Sequence, residues 1–148
     1  MIICGFPGVG KTTLKKYCDE NGIECHDSDS SQFPKDDFPA NYIKHLKELS
    51  DKQNSSGNVK GILILASSHK EVREALLAEG LPFKIVVPHF SLKGEYVERY
   101  KKRGSSESFI KLIETNFETW IGEIASDARL DIITLGRGQY LKDRMIFH

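Results

Sequence analysis

The apolar residues of this chain gather in short uninterrupted runs, with longer amphipathic stretches between them. A half-exposed strand would alternate apolar and polar residues, so continuous runs indicate strands buried on both faces of a parallel sheet. Five such runs occur, at residues 1–4, 23–25, 61–66, 83–87 and 130–135. Their alternation with helical stretches predicts a three-layer α/β fold, with about five parallel strands and helices on both faces.

The stretches between the runs carry the three- and four-residue spacing of helices. Leu14 and Cys18 precede Gly22, a residue suited to the left-handed conformation that ends helices. A longer helix is predicted over residues 107–126, with its apolar stripe packed on the core. That stripe consists of Phe109, Ile113, Phe117, Trp120 and Ile124. The polar segment 50–60 is predicted to be a surface loop.

Composition and charge narrow the picture to one domain. The chain has 148 residues, 39% of them hydrophobic and 28% charged, which suits a single domain spanning 1–148. Its 21 basic and 21 acidic residues balance, so any contact with DNA has to be local, and no membrane partner is indicated. No run is long enough to span a bilayer and the first residues do not resemble a signal peptide, so we expect a cytoplasmic protein. The oligomeric state stays open.

One motif carries specific chemistry. Residues 5–12 match the phosphate-loop pattern GxxxxGK[ST] between an apolar strand and an amphipathic helix, which is the context that the pattern requires. Glycines let backbone N–H groups turn toward phosphates, the helix N-terminus attracts the same anion, and the lysine and threonine serve the terminal phosphates and Mg²⁺. The sequence therefore predicts a site for ATP and Mg²⁺. The predicted nucleotide-binding residues are Gly5, Pro7, Gly8, Val9, Gly10, Lys11, Thr12 and Thr13.

Kinases, ATPases and GTPases all use phosphate loops, so other residues have to discriminate among them. The third run ends at Ala66 and Ser67 without the aspartate that motor ATPases carry there. The stretch NVKG at 58–61 lacks the final acid of the guanine-specifying NKxD motif. Both observations disfavour motors and GTPases and favour a kinase.

Two acids follow the second run. Asp27 and Asp29 stand at the carboxyl end of a predicted strand, which is where ligands bind in open α/β sheets. Either carboxylate can hold Mg²⁺ or act as general base on an acceptor hydroxyl, and Asp27 is a candidate metal ligand together with Thr12. The alternative is that both acids only turn the chain after the strand.

The segment 91–107 is basic. Arg99 and Arg103 lie four residues apart and therefore share one helix face. Arginines that close over a nucleotide stabilise the charge of the transferring phosphoryl group, so we predict catalytic roles for both, alongside Lys11. A solvated helix end that is favourable to the helix dipole explains the same spacing equally well.

Taken together, the chain resembles the small P-loop nucleoside and nucleotide kinases that are common in phage and prophage genomes, within the adenylate-kinase-like group. The resemblance rests on the stretches GFPGVGKTT, HDSDSS, FPANYIKHL, ASSHKEVREALL, YVERYKKRG, FIKLIETNFETWI and GQYL, which cover most of the chain. It implies a central phosphate-loop strand. It also implies a short lid near residues 91–107 that carries Arg99 and Arg103.

The same resemblance implies an acceptor side. It makes Asp27 and Asp29 acceptor-side acids and places Asn41 and Tyr42 on an acceptor-binding helix, although Tyr42 could equally pack on the core. Ser67 is a candidate acceptor contact, because it stands where adenylate kinases proper carry an Asp-Gly-Phe-Pro-Arg stretch. The absence of that arginine leaves AMP specificity open.

The predicted function is Mg²⁺- and ATP-dependent transfer of the γ-phosphoryl group to a nucleotide-type acceptor, most readily a (deoxy)nucleoside monophosphate. Arg137, in the turn after the fifth strand, is a candidate rim of the adenine site. Two alternatives stay open. One is a kinase whose acceptor is a hydroxyl of a nucleoside, a polynucleotide end or a modified DNA base. The other is an ATP-binding switch with little transferase activity.

Overall fold

The computed structural model describes residues 1–28, 34–56 and 63–144 of the chain. The strands and helices in these residues are, in order, β1 (Ile2–Gly5), α1 (Lys11–Glu20), β2 (Cys25–Asp27), α2 (Ala40–Ser56), β3 (Leu63–Ser67), α3 (Lys70–Ala78), β4 (Phe83–Pro88), α4 (Lys93–Lys102), α5 (Glu107–Ala125), β5 (Asp131–Leu135) and α6 (Leu141–Arg144). Short 3-10 turns, Lys35–Asp37 and Phe90–Leu92, precede α2 and α4.

The five strands form one parallel sheet in the order β2-β3-β1-β4-β5. β1 is central, and its Gly5 is in register with Ser67 of β3 and Val86 of β4. Right-handed crossovers place α1 on one face of the sheet and α2, α3 and α5 on the other. The predicted three-layer α/β fold with five parallel strands is therefore confirmed.

The core lies on both sides of the central strands, which explains why their sequences do not alternate. Ile3 of β1, Leu65 of β3 and Val86 of β4 are fully buried. Phe6, directly after β1, packs edge-on against Phe117 of α5 with ring centroids 5.6 Å apart. The predicted stripe of α5 is confirmed as the face that packs on the core. None of the helices in residues 1–28, 34–56 and 63–144 has the length and hydropathy that crossing a membrane requires.

Most predicted strands and the long helix are shifted by one residue at an end, and two differences are larger. β2 starts at Cys25, because the amide of Ile23 donates to the carbonyl of Cys18 at 2.9 Å and closes the end of α1 instead of joining the sheet. Gly22 makes this turn with φ 70, as predicted. The loop predicted at 50–60 is wrong for residues 50–56, which belong to α2 because the apolar face of that helix is anchored on the core. Residues 57–60 lie outside the described residues.

Candidate active site

The turn between β1 and α1 requires glycine at two positions. Gly8 and Gly10 have φ of 90 and 99, in the left-handed region where a side chain is strained. Space is also lacking, since a Cβ on Gly8 would lie 2.9 Å from Cε1 of Tyr100 and a Cβ on Gly10 would lie 3.0 Å from Cδ1 of Tyr140. The loop is therefore closely backed by aromatic rings that are distant in sequence.

Three consecutive carbonyls of the loop are bound by α4 and α6. The hydroxyl of Tyr100 donates to the carbonyl of Pro7 at 2.7 Å, and Nη1 of Arg99 donates to that of Gly8 at 2.8 Å. The amide of Leu141 donates to the carbonyl of Val9 at 2.7 Å. We call Arg99, Tyr100 and Leu141 the carbonyl clamp.

The carbonyl clamp orients the amides of the loop. Across a trans peptide, a carbonyl and the N–H of the next residue point in opposite directions. The amides of Gly8 and Gly10 therefore point away from the clamp, while the amide of Val9 donates to the carbonyl of Phe6 at 3.2 Å. Inward-facing amides of this kind make an anion-binding concavity.

The start of α1 completes this concavity. Gly10 is the N-cap residue, no side-chain hydrogen bond caps the helix, and its first turn contains no acid, so the positive end of the helix dipole is not compensated by the helix's own side chains. Lys11 is the first helical residue, and its Nζ donates to the carbonyl of Gly5 at 3.1 Å. Thr12 and Thr13 are exposed on the same turn. The structure thus brings the predicted nucleotide-binding residues of the loop together.

Arg99 is held on several sides. Its side chain is 10% exposed, and Nη2 donates to Oε2 of Glu95 at 3.1 Å and to the carbonyl of Gln139 at 2.8 Å. The guanidinium lies 4.3 Å from the ring centroid of Tyr96 and 3.9 Å from that of Tyr140. Burial raises the pKa of Tyr96 to about 12, so this ring stays neutral. Arg99 therefore joins α4, the loop and the segment before α6.

Arg103 has a different environment, although it follows Arg99 by about one turn. It is exposed, and its Nε donates to Oγ of Ser105 at 2.9 Å. Its guanidinium lies 5.1 Å from the ring centroid of Tyr100 and 5.5 Å from that of Phe109. Because its own side chain is exposed, Arg103 can move without opening the core. The catalytic roles of both arginines stay predictions.

Asp27 is the last residue of β2 and is exposed. It stands at the carboxyl end of β2, in register with Leu65 of β3 and through it with Ile3 of β1, two residues before Gly5. Asp29 lies outside the described residues. Among residues 1–28, 34–56 and 63–144, no cluster of three or more His, Cys, Asp or Glu is arranged to hold a metal. Mg²⁺ is usually held by one or two carboxylates plus water and phosphate oxygens, and the exposed oxygens of Thr12 and Asp27 fit that chemistry.

Tyr42 packs in the core, which is the alternative to an acceptor contact that its sequence position left open. Its side chain is fully buried, and its ring stacks on Phe38 with centroids 5.8 Å apart. Its hydroxyl donates to the carbonyl of Ser28 at 2.6 Å and accepts from the amide of Ser67 at 3.2 Å. Tyr42 thus has no exposed surface for an acceptor in this structure, and it joins the ends of β2 and β3 instead.

The other predicted substrate and nucleotide contacts lie at the start of α2, at the end of β3 and in the turn after β5. Nδ2 of Asn41 donates to the carbonyl of Pro34 at 3.1 Å. Oγ of Ser67 accepts from the amide of His69 at 3.3 Å. Arg137 is exposed in the turn after β5. Their contacts with a ligand stay predictions.

Some residues that shape the site carry no motif. Ser28 is buried, and its Oγ lies 3.1 Å from Nε2 of His45 on α2, which adds a second link behind the end of β2. Tyr100 and Leu141 were likewise not predicted. The one available signal is the spacing of Tyr96 and Tyr100, four residues apart on an otherwise charged helix, which indicates a buried face.

Comparisons with known proteins identify the fold of the chain. No family model and no curated protein matches the chain. The solved structure of the YorR protein from Bacillus subtilis, in complex with phosphorylated GDP, matches with a TM-score of 0.57 and 17% identity over 96% of this chain and 88% of that chain. A gluconokinase from Sinorhizobium meliloti 1021 matches with a TM-score of 0.50 and 18% identity over 96% and 84%. The chain has a P-loop kinase fold. Sequence identities of 17% and 18% show the fold only. The adenylate-kinase-like grouping and a phage origin therefore stay predictions.

Proposed function

We propose that this protein is a kinase that transfers the γ-phosphoryl group of ATP to a (deoxy)nucleoside monophosphate. The observation that carries the proposal is the phosphate loop, whose carbonyls are bound by the carbonyl clamp and whose amides face an uncapped helix start beside Lys11. A site that is already oriented needs little reorganisation when charge develops on the transferring group. The nucleotide named with the YorR structure supports a nucleotide ligand, and the kinase activity named for the second neighbour supports phosphoryl transfer, with a sugar acid rather than a nucleotide as the acceptor of that protein.

Each charged residue has a distinct role in this proposal. Lys11 supplies a mobile positive charge to the β- and γ-phosphates. Thr12 and Asp27 hold Mg²⁺, which when bound neutralises charge on the phosphate oxygens. Arg103 moves from its surface position onto the transferring phosphoryl group, and Arg99 supports the loop from behind. An acceptor oxygen then forms a bond to the γ-phosphorus while the bond from that phosphorus to the β–γ bridging oxygen breaks, and ADP leaves.

A hydroxyl acceptor is the second candidate, and the exposure of Asp27 favours it. A hydroxyl has to lose its proton during transfer, whereas a monophosphate is already ionised near neutral pH. An exposed carboxylate at the carboxyl end of β2 is a suitable base for such a proton. In this alternative Asp27 accepts the proton of a nucleoside, sugar or polynucleotide hydroxyl.

The experiment that separates these candidates is an acceptor screen. The purified protein is incubated with Mg²⁺, ATP and pooled nucleosides, ribo- and deoxynucleoside monophosphates, gluconate and short DNA, and products are identified by mass spectrometry. Conversion of a monophosphate to a diphosphate supports the first candidate. Phosphate on a hydroxyl supports the second, and no phosphorylated product from any pool would contradict both.

A further inference from the structure

Arg73 on α3 is a buried charge that the kinase chemistry does not use. It is 8% exposed, and its solvent-inaccessible Nε has no hydrogen-bond partner among the described residues. The ion pairs found within residues 1–28, 34–56 and 63–144 do not include its guanidinium. Burying a charge without a partner is costly, so a position of this kind indicates that a partner is supplied from outside the chain.

Arg73 lines an open pocket of about 460 Å³ between α3 and the end of α5. The other lining residues are Lys70, Glu74, Glu123, Ser126, Asp127 and Ala128. A volume of this size lies in the range of small-molecule sites. The lining of the pocket comes from α3, the end of α5 and the turn after it, and it includes no residue of the phosphate loop.

Two of the three acids in the pocket are already paired. Arg129 donates to Oε1 of Glu74 at 2.8 Å and to Oδ2 of Asp127 at 2.7 Å. Hydrogen bonds from Arg129 lower the pKa of Asp127 to about 2, so this carboxylate stays ionised and bound to its partner. The pocket residues together with Arg129 carry no net charge. Two of the acids form ion pairs with Arg129, so the charged side chains outside these ion pairs are two cations and one acid.

Arg73 and Lys70 are the pocket cations that form no ion pair with the described residues, although Asp127 lies within electrostatic range of Arg73 and Glu74 within that of Lys70. Lys70 is exposed at the first position of α3, and it lines the same pocket as the buried guanidinium three residues later. Glu123 is the remaining acid, and it is exposed on α5. An incoming anion therefore finds a buried guanidinium whose Nε lacks a hydrogen-bond partner and an exposed ammonium beside it, while Glu74 and Asp127 remain bound to Arg129.

We propose that this pocket binds an oxyanion of the phosphate class, with Arg73 as the fork-shaped donor and Lys70 as the second cation. A guanidinium presents several N–H donors in a fixed plane that matches two oxygens of a phosphate, and charge-assisted bonds of this kind are strong. The pocket is larger than a single phosphate ion. The phosphate group of a small molecule and free inorganic phosphate share this chemistry.

The test is a phosphate titration at constant ionic strength, followed by the fluorescence of Trp120. This is the single tryptophan of the chain and lies three residues before Glu123 on α5. All proteins carry Lys11→Ala, which weakens anion binding at the phosphate loop. The parent is compared with Arg73→Met, with Lys70→Met, and with Lys111→Met as a control at an exposed position three turns away on α5. A parallel titration uses AMP.

We expect Arg73→Met to weaken phosphate binding at least about tenfold, Lys70→Met to weaken it several-fold, and Lys111→Met to leave it unchanged. AMP binding that is tighter than phosphate binding and is weakened by Arg73→Met identifies a phosphorylated small molecule as the ligand of this pocket, and equal, Arg73-dependent binding identifies free phosphate. Phosphate binding that is unaffected by Arg73→Met, or no saturable binding in the parent, would overturn the proposal.

Thermal unfolding gives a second test. A purely structural role of Arg73 would not change how much added phosphate raises Tm. Replacing an unpaired buried charge by an apolar side chain raises Tm in phosphate-free buffer. Added phosphate is expected to raise the Tm of the parent and not that of Arg73→Met. If Arg73→Met does not fold, the exposed Lys70→Met decides the question, and equal phosphate stabilisation of Lys70→Met and parent would then contradict the proposal.

Discussion

The donor half and the acceptor half of the sheet edge are built in different ways. On the donor side, the backbone of the phosphate loop is the binding surface, and three of its carbonyls are bound from α4 and α6. On the acceptor side, Tyr42 ties the ends of β2 and β3 from inside the core, while the candidate ligand group of Asp27 is exposed. In the proposed reaction, fixed backbone binds the polyphosphate, whereas exposed side chains bind the acceptor.

This difference explains why one half of the reaction is easier to infer than the other. Backbone recognition needs a contiguous motif, so the donor chemistry is visible in eight adjacent residues at 5–12. Acceptor recognition depends on side chains from separate strands and helices, and no short pattern encodes their arrangement. The predictions that follow alter one half at a time.

The largest effect is expected from Lys11→Ala. Loss of the loop's positive charge should lower turnover at least about a hundredfold, because a preoriented cation is removed from the developing phosphate charge. Circular dichroism and Tm should stay close to those of the parent. Lys16→Ala, at an exposed position on the same helix, is the matched control and should keep full turnover. Parental turnover of the Lys11→Ala variant would contradict the proposal that the phosphate loop binds the phosphoryl donor.

The two arginines of α4 should separate stability from catalysis. Arg99→Met leaves the carbonyls of Gly8 and Gln139 without their donor, so we expect a loss of about 2–3 kcal/mol in the free energy of unfolding and a higher KM for ATP. Arg103→Met should lower kcat about ten- to a hundredfold and change stability by less than about 0.5 kcal/mol. Urea unfolding and steady-state kinetics of both variants check this, and the reverse pattern would contradict the assigned roles.

A matched pair of tyrosines probes the two halves directly. Tyr100→Phe removes the donor to Pro7 on the donor side, and Tyr42→Phe removes the link between Ser28 and Ser67 on the acceptor side. Each should cost about 1–2 kcal/mol of stability, since a buried group loses its partner. Tyr100→Phe should raise KM for ATP several-fold and Tyr42→Phe should raise KM for the acceptor. Equal effects of both variants on both KM values would mean that the two halves are not independent.

The smallest effect is expected from Asp27→Asn with a monophosphate acceptor. The amide keeps an oxygen that can hold Mg²⁺ and loses only the charge, so we expect a reduction of a few-fold in kcat. With a hydroxyl acceptor the same change removes the base and should abolish transfer. Comparing the two acceptor classes in one variant therefore shows which chemistry the acceptor half performs.

The sequence predicted the features that depend on neighbouring residues. The strands, the stripe of α5 and the phosphate loop all follow from local hydrophobic runs, helical spacing or a contiguous motif. The start of β2 was misplaced because one hydrogen bond, from Ile23 to Cys18, decides whether residues 23 and 24 close a helix or join a strand. The end of α2 was misplaced because core contacts extend a helix through polar residues that favour a loop on their own.

The carbonyl clamp could not be predicted from local patterns. Arg99 contacts Gly8 across 91 residues of sequence, and Tyr100 contacts Pro7 across 93. The spacing of Arg99 and Arg103 indicated equal roles on one helix face, whereas tertiary contacts give them different environments. Tyr42 stands between Asn41 and Ile43 in the sequence, which left both an acceptor contact and core packing open, and the packing of α2 against the strand ends decides that it is buried.

The most direct test of the central claim follows the γ-phosphate of ATP. The protein is incubated with γ-labelled ATP and Mg²⁺, with and without the acceptor pools, and the label is located after separation of the products. The account predicts that label moves to one acceptor, that little inorganic phosphate forms without acceptor, and that Lys11→Ala abolishes transfer. Release of label only as inorganic phosphate, at the same rate with and without acceptors, would contradict a kinase and indicate a nucleotide-dependent switch.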